Sequence, residues 1–128
     1  SSASASVTLS QAGDYKLGVE ITDANGVTLD KAIEYTINNN LLINTFTIAE
    51  DPDKGYYIDK ALTFDSEIEG GTPPYNWTFT VKKGRTEMDS QELTATSDTT
   101  HSFSYTPEES GTYTFNLEIT DAANTTVE

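Results

Sequence analysis

The sequence predicts an all-β protein built as an antiparallel sandwich, and three observations carry that prediction. Apolar residues recur with period two in stretch after stretch, the mark of half-buried strands, while almost nothing follows a helical period. Clusters rich in Gly, Pro, Asp and Asn separate these stretches at short intervals, as in sheets joined by tight turns. One segment is also used twice. QAGDYKLGVEITDANGVT at 11–28 returns as ESGTYTFNLEITDAANTT at 109–126, 98 residues further on.

The elements follow in order. In the first copy DANG (23–26) lies between two alternating runs, the second being KAIEYTI (31–37). Asn25-Gly26 is a hairpin signal because both residues tolerate positive φ. LLINTFTI (41–48) and ALTFDSEI (61–68) are predicted strands on either side of the turn-rich DPDKG (51–55). After EGGTPP (69–74), the run YNWTFTV (75–81) puts Tyr75, Trp77, Phe79 and Val81 on one face and Asn76, Thr78 and Thr80 on the other. KKGR (82–85) reads as a strand–turn corner, and the polar, poorly patterned 86–98 as an edge strand plus loop. HSFSYT (101–106) is a further strand. In YTFNLEI (113–119), Tyr113, Phe115, Leu117 and Ile119 point one way, and Thr114, Asn116 and Glu118 the other.

Bulk properties bound the partners. A chain of 128 residues suffices for one ordinary domain with a core and is too short for two. Its 35% hydrophobic and 22% charged residues are those of a globular protein. A net charge of −14 and a pI near 4.1 repel phosphate backbones and anionic lipid, which argues against nucleic-acid and membrane-surface roles. No run reaches the roughly 18 apolar residues of a spanning helix. Cys is absent, so the core alone must hold the fold, a habit expected of bacterial or archaeal surface proteins. The abrupt start in SSASASVTLS suggests a fragment or processed segment, with any export signal lying elsewhere.

The octet EESGTYTF (108–115) makes the fold more specific. In immunoglobulin-type sandwiches a Tyr opens strand F, two residues before a core Cys, and its hydroxyl bonds back to the preceding corner. Here Gly111 supplies the tight approach, Tyr113 takes the corner position and Phe115 stands where the Cys would be. Trp77 on the inferred strand C is expected to pack across the sandwich against Phe115, an aromatic pair in place of a disulfide. Tyr15 is the corner residue of the first copy.

The chain thus resembles the immunoglobulin-like superfamily, and within it the tandem PKD-like and triple-tyrosine repeats of bacterial and archaeal surface proteins. GGTPPYNWTF (70–79) is similar to the segment entering strand C in those repeats, and GTYTFNLEITDAANTT (111–126) to their strand F and F–G turn. The Trp-Asp-Phe-Gly-Asp-Gly type of motif found in true PKD domains is missing. The resemblance implies an Ig-like antiparallel β-sandwich and a tandem repeat segment. Residues 1–40 are then the C-terminal part of one repeat (strands E, F and G), and 41–128 a second repeat lacking most of strand G. Such a cut leaves an open edge and a gap in the core, which residues 27–37 of a neighbouring chain are able to fill by strand addition.

Each candidate site has a plainer counterpart. Asp51 and Asp53, two apart before Gly55, resemble the start of a Ca²⁺ loop, but Leu62 stands where an EF-type loop needs its Glu. Turn chemistry is the commoner role for these and for Asp23 and Asp121. Ca²⁺ is the one ion left open; no other cofactor is expected, and a single His101 without Cys argues against zinc. Tyr56 and Tyr57 are candidates for a carbohydrate platform, with one of the two expected outside if the segment is strand-like. Asn76 and Asn124 head sequons, the first on an outer face and the second in a turn. No nucleophile–base arrangement or facing carboxylate pair is legible, and neither Lys31 nor Lys60 is clearly inward, as an isopeptide crosslink would need.

The function expected is that of an extracellular, cell-surface stalk, spacer or adhesive filament module rather than an enzyme. Its partners are then neighbouring Ig-like repeats or identical subunits, and a surface glycan or protein ligand. The alternatives are an accessory carbohydrate-binding module of a secreted glycanase and a strand-exchanged filament subunit.

Overall fold

Alternation in the first copy produces a hairpin. The computed structural model describes residues 1–128, and the chain divides into two compact units, Ser1–Asn39 and Asn40–Glu128. In the first, β1 (Gly13–Thr22) pairs antiparallel with β2 (Thr28–Ile37) without a break in register, from Gly13 opposite Ile37 to Thr22 opposite Thr28. Directly opposed residues share a face. Tyr15, Leu17 and Ile21 therefore lie beside Tyr35, Ile33 and Leu29, while Asp14, Lys16 and Glu20 lie beside Thr36, Glu34 and Asp30. The apolar face is largely uncovered, with Leu29 71% and Ile33 58% exposed. The strand expected before this hairpin does not form: residues 1–12 carry no strand. Strands need a neighbour to satisfy their backbone groups, and no third strand of this unit offers one.

The second unit holds seven strands. β3 (Leu42–Ile48), β4 (Leu62–Glu69) and β7 (Thr100–Tyr105) form one sheet in the order β3-β4-β7. β5 (Tyr75–Lys83), β6 (Thr86–Thr96), β8 (Tyr113–Thr120) and β9 (Thr126–Val127) form another in the order β6-β5-β8-β9. Every pairing is antiparallel. The protein is all-β, and the second unit's sheets are arranged consistently with a β-sandwich. Rings contributed by both sheets meet between them. Phe64 of β4 lies 5.0 Å from Phe79 of β5 and 4.4 Å from Phe115 of β8, and Phe103 of β7 stacks on Phe79 at 5.0 Å. Trp77, Phe79 and Val81 of the central strand β5 are fully buried, as is Ile119 of β8.

Trp77 does not pack against Phe115. Its ring neighbours are His101 at 6.3 Å and Phe103 at 6.4 Å. Register explains the difference: β5 pairs with β8 so that Val81, not Trp77, lies opposite Phe115. Four residues of strand separate Trp77 from that position, about 13 Å. Phe79 and Phe64 take the role expected of Trp77. The stretch 86–98 is also more regular than its pattern suggests: β6 runs unbroken over Thr86–Thr96 at the sheet edge, shifting register twice against β5. The corner at KKGR is a two-residue hairpin in which Lys83 pairs with Thr86 across Gly84-Arg85.

Candidate functional site

The chemistry of the second unit gathers at the two ends of β8. Below its start, Gly111 adopts φ +147°, and a Cβ there would come within 2.6 Å of Lys83 Cε. That approach brings Lys83 Nζ to Glu109, where it donates to Oε2 at 2.7 Å. The bond holds the Lys83 ammonium above its ordinary pKa and the Glu109 carboxyl below its own. Tyr113 Oη donates to the Glu109 carbonyl at 2.8 Å, closing the turn over its own ring. Tyr113 in turn lies against Tyr105, 5.8 Å between centroids. Burial pushes the Tyr105 phenol up, and the neighbouring Tyr113 adds to the effect.

Beside this corner opens a groove of about 610 Å³, lined by Ile48, Leu62, Tyr113 and Phe115 and by the loop residues Tyr56 and Tyr57. The lining is mostly apolar, as expected of a surface that takes an apolar group. Both tyrosines are exposed, Tyr56 45% and Tyr57 65%. The expectation of a single outward Tyr assumed a strand; the segment is instead a loop, where alternation imposes nothing. Glu109 is the one carboxylate on the lining and is already bound to Lys83, so no facing acid pair is present there.

At the other end of β8, Asp121 is only 6% exposed. Its Oδ1 accepts from the backbone N–H of Ala123 at 3.0 Å and of Thr125 at 2.9 Å; Oδ2 accepts from Thr72 N–H at 2.9 Å. Burial pushes this carboxyl up, but the bonds from Thr125, Thr72 and Ala123 outweigh it, and the net pKa lies below the ordinary value. The reach to Thr72 ties the turn after β8 to the turn before β5. Gly71 makes room for it, since a Cβ there would stand 3.0 Å from Asp121 Oδ2.

The hairpin of the first unit repeats the phenol bond and the Asp-closed turn, without counterparts of the Lys83–Glu109 and Thr72–Asp121 bonds. Tyr15 Oη donates to the Gln11 carbonyl at 2.8 Å, as Tyr113 does to Glu109. Asp23 Oδ1 accepts from Asn25 N–H and Val27 N–H, both at 2.9 Å, as Asp121 does from Ala123 and Thr125. Gly13 adopts φ +148° where Gly111 has +147°. The hydroxyls of Thr22 and Thr28 meet at 3.1 Å, and those of Thr120 and Thr126 at 2.8 Å. The repeated sequence is a repeated conformation.

No family model matches the chain, and no curated protein or solved structure does either.

The remaining candidates fall in separate places. Asp51 Oδ1 accepts from Asp53 N–H at 3.0 Å, capping the short 3-10 turn Pro52–Lys54. No group of three or more His, Cys, Asp or Glu is arranged to hold a metal ion. Asn76 is exposed on β5, and its Oδ1 accepts from Ala95 N–H at 2.8 Å; Asn124 is exposed in the turn after β8 at φ +62°. Lys31 and Lys60 are both exposed. Two bonds that anchor loops were not visible in the sequence: Lys83 to Glu109, and Glu50 Oε2 accepting from Thr63 N–H at 2.8 Å. The second lowers the Glu50 pKa. Only the pairing of partners far apart in the chain reveals either one.

Proposed function

We propose that the chain is an Ig-like repeat segment of an extracellular surface protein, acting as a stalk, spacer or adhesive module. The observation that carries this reading is the duplicated structure: β1 with its turn and β8 with its turn share the same phenol bond and the same Asp closure. Two copies of one unit within a chain are what a tandem array contains. The strand order supports the Ig-like assignment. With β3, β4 and β7 read as A, B and E, and β6, β5, β8 and β9 as C′, C, F and G, the two sheets have the Ig-type grouping. In this reading β1 and β2 are strands F and G of the preceding repeat. The aromatic core resists unfolding, and the charge of −14 keeps successive units soluble and apart.

A spacer must bear load. Stretched between its termini in a single-molecule force experiment, the chain is expected to show a discrete unfolding event that is lost in Phe79→Ala. Extension without any such event sinks the reading. A glycan array run on the same protein addresses carbohydrate binding: specific capture abolished by Tyr57→Ala would assign the groove to a sugar and the chain to a binding module.

A further inference from the structure

Asn25-Gly26 is the one place in the chain where Gly follows Asn; every other Asn is followed by a residue that carries a Cβ. That order matters for reactivity as well as for turn geometry. An Asn carboxamide carbon lies within reach of the amide nitrogen of the next residue. Closing the five-membered ring between them is hindered least when that residue has no side chain. Around Gly26 there is open space: an added Cβ would meet nothing within 4 Å. Asn25 and Gly26 are both exposed at the tip between β1 and β2.

The matching turn after β8 is a control inside the same chain. There Asn124, at φ +62°, takes the position of Gly26, at φ +80°. Its attacking nitrogen would be that of Thr125, a β-branched residue whose N–H donates to the Asp121 carboxylate at 2.9 Å. The nitrogen of Gly26 is held less firmly, by one bond to the main-chain carbonyl of Asp23 at 3.1 Å. The Asp23 carboxylate is engaged on either side of it, accepting from Asn25 N–H and Val27 N–H. A neutral acceptor holds an N–H about half as strongly as a carboxylate does. Asn76 and Asn116 precede Trp77 and Leu117, which are buried within paired strands.

We propose that Asn25 is a site of spontaneous deamidation, and that the Asp23-closed turn sets its pace. Gly26 N leaves the Asp23 carbonyl, gives its proton to solvent base and attacks Asn25 Cγ. The new C–N bond forms as the carboxamide nitrogen departs as ammonia, leaving a cyclic imide. Water then opens one of two carbonyls. Cleavage at Cγ leaves Asp at position 25; cleavage at the main-chain carbonyl leaves isoaspartate, with the chain now running through Cγ. Nothing is oxidised or reduced, and water is the only co-reactant. Either product places a further negative charge beside Asp23 in a chain already at −14. Isoaspartate also inserts a methylene between the two N–H groups that Asp23 Oδ1 holds together, so that closure is lost. The turn opens in order to react, and this product keeps it open. The chemistry needs only the turn and is independent of any role as a spacer.

The test incubates the full chain in mildly alkaline buffer and follows it by peptide mass mapping. Labelling with isoaspartyl methyltransferase and S-adenosylmethionine separates isoaspartate from Asp. The peptide holding position 25 is expected to gain the mass of an amide-to-acid exchange and to accept methyl groups. Peptides holding Asn76, Asn116 and Asn124 are expected to stay unchanged over the same period. The chain unfolded in guanidinium is expected to convert at 25 several-fold faster, because no turn holds Gly26 N. Asp23→Ala is expected to approach that faster rate, with emission from the single Trp77 unchanged, and Asn25→Gln to abolish the label. No conversion at 25 in the native chain, or another Asn converting first, overturns the proposal. So do equal rates in native and unfolded chains, or an Asp23→Ala rate no higher than the native one.

Discussion

Tyr113 and Asp121 bracket β8, and each supplies a turn with the hydrogen-bonding partners that strands would otherwise provide. Tyr113→Phe keeps the ring and removes one neutral bond, so a loss of about 1 kcal/mol is expected, read from denaturant unfolding followed by Trp77 emission. Asp121 accepts three backbone bonds as an anion, and its folded pKa lies below the unfolded value of about 3.9. Its contribution is therefore complete above that value and is lost as pH falls through the folded pKa. Stability of the native chain should drop on acidification below about pH 4, and Asp121→Asn should flatten that slope. An unchanged slope in the variant would show that other carboxylates govern the acid limb. The Tyr113 bond was legible in the sequence, because Gly111, Tyr113 and the bonded carbonyl are neighbours. The Asp121 link to Thr72 was not, since it joins residues 49 positions apart.

Strands show how far alternation carries. Where one face is buried and the other wet, as in β5 and β8, period two fixed both the strand and its inner face, because misplacing one residue would put every apolar side chain in water. β6 was less legible because an edge strand half open to solvent has little apolar patterning to show. The partner of Trp77 was misjudged for a different reason: faces can be read along one strand, but contacts across layers depend on register between strands. Substitutions should follow the observed packing. Phe79→Ala, at the centre of four aromatic contacts, should cost about 3–5 kcal/mol in equilibrium unfolding. Tyr56→Ala, on an exposed loop, should stay within about 0.5 kcal/mol. Comparable losses at both positions would mean that the loop closes the core more firmly than its exposure indicates.

Across the whole molecule, charge acts with little internal compensation. The net charge is −14, and the ion pairs are only Lys16 with Glu34 and Lys83 with Glu109. Raising salt from about 0.01 to 0.15 M shortens the screening length from about 30 to 8 Å and should raise the Tm in a thermal melt by relieving self-repulsion. A fall in Tm would instead mark the two pairs as dominant. The duplicated turns bear on engineering. Asp23 N–H to Val27 O and Gly26 N–H to Asp23 O, at 2.9 and 3.1 Å, have counterparts from Asp121 N–H to Thr125 O and Asn124 N–H to Asp121 O, at 2.9 and 3.0 Å. Each loop is thus locked by its own aspartate and main chain, whatever side chains sit at its tip. Transplanting Ala24-Asn25-Gly26 onto positions 122–124 should leave the melting curve intact, making this apex a ready port for grafted epitopes or labels.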